Sequence, residues 1–213
     1  ARGGFDLVAQ GVTGIMSVTG EAGRAPVKAG LPITDLGAGL FALSGILAAL
    51  HYRDRTGQGQ YVDTSLMEAG LALSVWESAE YFGGRGVPGP LGSAHRMSAP
   101  YQAFRCADGY VTVGAANQRT FEKLAALVGH PEWVTDPRFA SDGARVRHRE
   151  VLAGLIDAVT AGASRAEWLT RLDAAGIPCG PIQNVAQVLD DPQVAARNMI
   201  VSADDPAEVV VGA

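Results

Sequence analysis

The chain has 213 residues, of which 47% are hydrophobic and 18% charged, enough apolar material for one or two ordinary domains and too much for a disordered chain. Its 22 acidic residues outnumber 17 lysines and arginines, giving a formal net charge of -5 with no basic cluster to track a phosphate backbone, so nucleic acid is excluded as the expected partner. Cys106 and Cys179 form no Cys-x-x-Cys pair, which argues against a zinc site or a disulfide framework and fits a reducing, cytoplasmic setting.

Ala1–Phe5 have no basic start followed by an apolar stretch, and no signal peptide is expected. From Asp35 to about Arg55 one amphipathic helix is predicted, because Leu36, Leu40, Leu43, Leu47 and Leu50 recur at alternating spacings of four and three. The uncharged run Leu36–Leu50 is shorter than the ~20 residues of a membrane span, so the helix is read as buried and no membrane partner is expected. Opposite its leucines lie Gly37, Gly39, Ala42 and Gly45, which weaken an isolated helix but admit a close backbone or ligand. Gly57 supplies the stop, Gln60–Thr64 reads as a short strand, and a second helix is expected from Ser65 to about Phe82. The glycine- and proline-rich stretch Gly83–Gly92 is a linker or functional loop and marks a boundary.

Beyond it, Tyr101–Cys106 and Tyr110–Gly114 flank Ala107-Asp108-Gly109 as a hairpin. Helices are expected at Thr120–Val128, Asp142–Ala161 and Arg165–Ala174, the last stopped by Gly176 and Pro178. A short strand Ile177–Ile182 and a helix near Val185–Leu189 follow. The sequence has no initiating Met and ends at Val209–Ala213 without a cap or polar tail, as a fragment cut inside a strand would.

Asp35 stands at the start of the glycine-rich helix, where unpaired N–H groups and the helix dipole favour an anion. Two roles fit this place: an N-cap, or a carboxylate nucleophile toward an activated acyl group, with small neighbours leaving room for a bulky thioester. His95, in Gly92-Ser93-Ala94-His95, is either a donor to a substrate carboxylate or an ordinary surface histidine. Arg53–Gln60 follows a helix and lacks the Gly-Lys-Ser/Thr ending of a phosphate loop. His51, His130 and His148 are isolated, so no metal site is expected, and no serine nucleophile elbow or carboxylate pair appears.

The segments Phe5–Gln10, Gly14-Ile15-Met16, Thr19-Gly20, Thr34-Asp35-Leu36 with Gly39, Ala48-Ala49-Leu50 and Arg55–Gln60 resemble class III CoA-transferases. Gly92–His95, Pro100–Phe104, Asp108-Gly109-Tyr110, Gly176–Pro181 and Asp191–Val194 continue that resemblance in order, so it covers nearly the whole chain. Family members are about twice this length, and the chain resembles their central piece.

The resemblance implies an α/β fold: residues 1–90 as part of a Rossmann-like large domain carrying the catalytic aspartate, 91–190 as a small α+β domain, and 191–213 as a segment returning toward the first. It implies an interlocked homodimer, and coenzyme A as acyl-CoA substrate with a small carboxylic acid as acceptor. Asp35 matches the family's catalytic aspartate, which forms an anhydride with the donor acyl group and then an aspartyl-CoA thioester. Gly3, Phe5, Asp6 and Leu66 match CoA-contacting positions, although a lysine of formyl-CoA transferase is replaced here by Gly3. Gly92, His95 and Arg96 match the substrate loop, in a form closer to transferases of succinate, malate or hydroxymethylglutarate. The related α-methylacyl-CoA racemases place a histidine where this chain has Phe5, which can move no proton. A racemase and an acyl-CoA binding module without turnover stand as the alternatives. If the chain truly ended at these termini, its cofactor pocket would be incomplete and apolar faces between Leu36 and Phe82 would be exposed.

Overall fold

In the computed structural model, which describes residues 3–202 and 209–211, the chain divides into two units, Ala1–Ser93 and Ala94–Ala213. The architecture is mixed: helices throughout, with a small antiparallel sheet in the second unit.

The first unit begins with α1 (Asp6–Val12) and the single turn α2 (Ile15–Val18), and continues with α3 (Ile33–Thr56), α4 (Leu66–Leu73) and α5 (Val75–Phe82). The expected long helix is present, ended by Gly57 in the left-handed conformation (φ 74°), whose N–H donates to the Arg53 carbonyl. Its burial is the reverse of the expectation. Thr34, Gly37 and Ala38 are the residues of α3 that are buried, whereas Leu36, Leu40, Leu43 and Leu47 are half or more exposed. The reason is steric: a Cβ on Gly37 would stand 3.0 Å from Leu73 and 3.5 Å from Ala69, so α4 lies against the glycine side. Among the described residues of the unit, nothing gives the leucine side comparable cover. By length and composition alone α3 also passes as a candidate membrane span, its apolar window being longer than the uncharged run suggested.

The strand expected at Gln60–Thr64 is not formed: these residues have no regular secondary structure and pair with no strand among the described residues. Its alternation serves α3 instead, since Val62 lies where a Cβ on Gly45 would come within 2.8 Å. The single helix expected over Ser65–Phe82 is broken at Ser74, whose hydroxyl donates to the Gly70 carbonyl at 2.9 Å and whose ψ of 36° leaves the helical range. The same break occurs in the second unit at His148, where Asp142–Ala161 was expected to be continuous. There the ring Nδ1 meets the Ala144 carbonyl at 2.9 Å, again a side chain reaching back four residues to compete with the helix ladder.

The second unit carries β1 (Tyr101–Cys106) and β2 (Gly109–Gly114), paired antiparallel through a two-residue loop, Ala107-Asp108. Then come α6 (Gln118–Leu127), a 3₁₀ turn at Pro131–Val134, α7 (Asp142–Arg147), α8 (Arg149–Thr160), α9 (Arg165–Ala174) and β3 (Cys179–Pro181), which adds antiparallel to β2. The short helices α10 (Val185–Leu189) and α11 (Pro192–Ala196) follow, and β4 (Ile200–Ser202) pairs with β5 (Val209–Val211). Residues 203–208, 212 and 213 of the expected return segment lie outside the described residues. Phe104, Cys106, Val111 and Val113 point from the hairpin into a core completed by Phe121, Leu152 and Trp168. β1 lies at the sheet edge, and α8 covers its open groups: Asp157 accepts from the Arg105 N–H at 2.7 Å and Thr160 donates to the Arg105 carbonyl at 2.6 Å.

The closest helix contact in the first unit gives a direct test. A Cβ on Gly70 would stand 2.6 Å from Thr13 Oγ1 and 2.9 Å from Thr13 Cβ. Gly70→Ala gains helix propensity of ~1 kcal/mol but must push α1 and α4 apart, so a net loss of about 1 kcal/mol is expected as a lowered urea midpoint. A midpoint at or above that of the parent protein would refute this close packing.

Candidate active site

The α3 helix starts badly by its own means. Pro32 occupies the N-cap and supplies no side-chain acceptor for the first N–H groups. The acceptor comes from α1. Asp6 Oδ1 receives the Thr34 N–H at 2.9 Å and the Thr34 hydroxyl at 2.7 Å, while Oδ2 receives Gln10 Nε2 at 2.6 Å. Gln10, fully buried, accepts the Ala29 N–H at 2.8 Å through Oε1 and donates to the Leu31 carbonyl. One carboxylate and one amide thus tie α1 to the loop before α3 and to the first turn of α3.

Asp35 is the next residue. It is the third helical residue rather than the cap, so the capping role left open for it belongs to Asp6, and its carboxylate is exposed. Gly39, one turn further on the same side of the helix, has nothing within 4 Å of where a Cβ would be. The arrangement is a carboxylate at a helix N-terminus, on a backbone anchored from outside, with open space beside it. Such a group can attack an electrophilic carbonyl that brings a bulky substituent.

Of the other predicted residues in this unit, Phe5 precedes α1 and is 82% exposed, and Gly3 is exposed, with no described atom outside its chain neighbours within 4 Å of where a Cβ would be. Asp6 has both carboxylate oxygens engaged inside the chain. Leu66 opens α4 behind the Ser65 cap and is half-buried. Gly92 adopts a left-handed φ of 60°, and its N–H donates to the Gly20 carbonyl at 2.7 Å. His95 and Arg96 belong to the second unit, both half-buried. The His95 N–H donates to the Tyr101 carbonyl at 2.8 Å, and its ring lies parallel to that of Tyr101 with centroids 4.8 Å apart.

Gln10 and Thr34 were missed by sequence reasoning as positioning groups. The available signal was Asp6 and Gln10 four residues apart in a short apolar segment, which places both on one helix face. Burial holds the thiols of Cys106 and Cys179 above their ordinary pKa, which makes neither a ready nucleophile. Among the described residues no group of three His, Cys, Asp or Glu side chains is placed to hold a metal ion.

Comparison with known proteins adds an independent line. The family model for CoA-transferase family III matches residues 1–213. An acyl-CoA transferase of Fusarium pseudograminearum is 39% identical, the match covering 94% of this chain and 44% of that protein. A succinyl-CoA:glutarate CoA-transferase of Mus musculus is 34% identical, covering 96% and 47% respectively. The crystal structure of a CaiB/BaiF family protein from Brucella suis superposes with a TM-score of 0.81 at 36% identity, over 100% of this chain and 56% of that one. The chain therefore spans about half the length of the curated relatives it matches.

The Asp6 clasp predicts a pH dependence. Burial, the largest single influence, raises its pKa, but the bonds from the Thr34 side chain and N–H, from Gln10 and from the Asp35 N–H together hold it below the ordinary aspartate value. A pKa lowered by folding stabilises the fold above the unfolded-state value and loses that contribution as pH falls through the folded one. The denaturant midpoint is therefore expected to fall between about pH 5 and pH 2, with a smaller fall in Asp6→Asn. Identical acid profiles for the two proteins would refute the clasp.

Proposed function

We propose that this chain, which belongs to CoA-transferase family III, carries the nucleophile of an enzyme that moves CoA from an acyl-CoA donor, succinyl-CoA, to a small dicarboxylic acid. The observation that carries the reading is Asp35: an exposed carboxylate in the first turn of α3, held by Asp6 and beside the open flank of Gly39.

In this reading an Asp35 oxygen attacks the donor thioester carbonyl, forming a mixed aspartyl anhydride and releasing CoA thiolate. The thiolate attacks the aspartyl carbonyl, giving an aspartyl-CoA thioester and the donor as free carboxylate. The acceptor carboxylate then attacks that thioester, forming a second anhydride and again releasing the thiolate. Attack of the thiolate on the acceptor carbonyl yields the new acyl-CoA and restores Asp35. One thioester replaces another, so no phosphoanhydride is consumed. Each intermediate is open to hydrolysis, so water must be kept away while the thiolate and the acids exchange.

The substrate class rests on the loop chemistry and on the relatives. The mouse relative is named for succinyl-CoA and glutarate, both carrying a second carboxylate. His95 and Arg96 are donors suited to such a group, since cationic or N–H donors to a carboxylate make strong, orienting bonds. Phe5 can neither take nor give a proton, so two-base epimerisation finds no support. A cytoplasmic homodimer is part of the same proposal, and the exposed leucine side of α3 supports the idea that further protein covers it.

The test is intact and peptide mass of the full-length protein mixed with succinyl-CoA and quenched with hydroxylamine, which converts an aspartyl thioester or anhydride to the hydroxamate. A hydroxamate at Asp35, absent from Asp35→Asn, is expected, together with a loss of CoA transfer of about a thousandfold or more in that variant. Reversible CoA binding with no adduct would refute the nucleophile and leave a binding module.

A further inference from the structure

The stretch between α2 and α3, residues 19–32, has no regular secondary structure, and from 21 to 32 every residue is exposed except Ala29, which is half-buried. The chain that leads to Asp35 therefore has little packing of its own to hold it. A fully buried side chain of α1, Gln10, reaches it instead. Gln10 Oε1 accepts the Ala29 N–H at 2.8 Å, and Nε2 donates to the Leu31 carbonyl at 3.3 Å and to Asp6 Oδ2 at 2.6 Å. The Leu31 carbonyl also accepts the Ile33 N–H at 2.8 Å, so the end of the loop and the first residue of α3 share one acceptor. The amide fits only one way round. Turned over, its oxygen would face a carboxylate and a carbonyl, and its NH2 would face the Ala29 N–H. A carboxylate in its place would likewise meet Asp6 and Leu31 acceptor to acceptor. From the other side α1 is braced by α4, where Thr13 stands against Gly70.

We propose that Gln10 is a positioning residue for the nucleophile: its amide, with the NH2 toward Asp6 and Leu31 and the oxygen toward Ala29, fixes the backbone leading into α3 and so the place from which the Asp35 carboxylate attacks. The role rests on the reading of Asp35 as the nucleophile. Gln10 is buried and meets no substrate atom, so its loss is felt in the rate of acyl transfer to Asp35 and not in the affinity for CoA.

The experiment compares the full-length parent with Gln10→Glu and Gln10→Met, each under conditions where denaturation curves show it folded. Single-turnover formation of the Asp35 adduct with succinyl-CoA, trapped with hydroxylamine, and the dissociation constant of CoA are followed from pH 8 to pH 6. Gln10→Glu keeps the shape and sets two carboxylates side by side. Such a pair resists holding both charges, so it takes up one proton as pH falls, and the new carboxyl can then donate to Asp6 as the amide does. The other titratable groups on the elements packed against α1 are Asp35, residues 51–55 at the far end of α3, Glu68 on α4, which accepts from the Ser65 hydroxyl, and Lys28 in the loop, whose Nζ donates to the Ala29 and Gly30 carbonyls. Of these His51 alone ordinarily titrates near pH 6 to 8, and it lies about 24 Å along the helix from Asp35. At pH 8 Gln10→Glu is expected to form the adduct about a hundredfold more slowly than the parent, with CoA affinity within about twofold. By pH 6 it should regain about tenfold relative to the parent. Gln10→Met, which carries no proton there, should lose the rate alike at every pH.

A parent-like rate in Gln10→Met would overturn the inference. So would a loss in Gln10→Glu without recovery toward low pH, or one that CoA affinity shares, since either marks a merely structural residue. If the parent forms no adduct at Asp35, the nucleophile reading fails by itself, and the 15N amide signals of Ala29 and Thr34 decide the rest. Signals that move with pH in Gln10→Glu and not in the parent leave the hold of Gln10 on the loop and α3 in place, whereas signals that stay as in the parent overturn it. Should Gln10→Glu fail to fold, Gln10→Met decides by the same split between rate and affinity.

Discussion

A helix that begins behind Pro32 has no side chain of its own to receive its first N–H groups, and in this chain the carboxylate of Asp6 receives them from a different helix. Much in the first unit depends on that transfer of the cap. Because the acceptor is covalently part of α1, satisfying the first turn of α3 also fixes where α1 lies, and Gln10 extends the tie to the loop at Ala29 and Leu31. Thr34 and Gln10 are fully buried, so their polar groups must be paired, and an unmade bond there costs ~1–3 kcal/mol. The position of Asp35 is thereby set by its neighbours' hydrogen bonds while its own carboxylate stays exposed. This suits a nucleophile better than a cap, whose oxygen would already be engaged.

The glycines of α3 divide between packing and access. Gly37 and Gly45 are occupied by Leu73 and Val62, whereas Gly39, one turn beyond Asp35, faces open space. The same helix keeps its leucines exposed, because small residues let α4 approach one side closely and nothing among the described residues of the unit covers the other.

The second unit is built around a core that tolerates a buried guanidinium. Arg145 donates Nε to the Ala99 carbonyl and Nη1 to the Phe139 carbonyl and Gln118, and lies over the face of Phe121, while its buried Nη2 makes no hydrogen bond and has Asp142 at 3.6 Å. Burial pulls its pKa down and Asp142 opposes that. The reward is rigidity where the chain enters β1: α7 holds Ala99, and Arg149 of α8 donates to the carbonyls of His95 and Arg96, so helices remote in sequence set the shape of a short irregular segment. Loops placed by rigid elements are where recognition is usually built.

Local signals in the sequence settled the element types with local causes. Gly57 ended α3, Asn184 capped α10 with its partner Gln187, and alternation about Ala107-Asp108-Gly109 made the hairpin, because caps, turns and periodicity act over a few residues. The breaks at Ser74 and His148 were written in the sequence too, but a side chain that bonds its own helix looks the same as one pointing outward until the backbone is in place. Motif order likewise marked Asp35 and the Gly92–Arg96 loop as candidates. Tertiary structure alone decided which side of α3 is buried, that Gln60–Thr64 forms no strand among the described residues, that Asp6 caps a helix starting at Ile33, and that Arg145 and Arg149 brace residues about 50 positions earlier. Those outcomes depend on which distant groups meet, and hydrogen bonds and close packing between them follow from the completed fold rather than from any local run of residues.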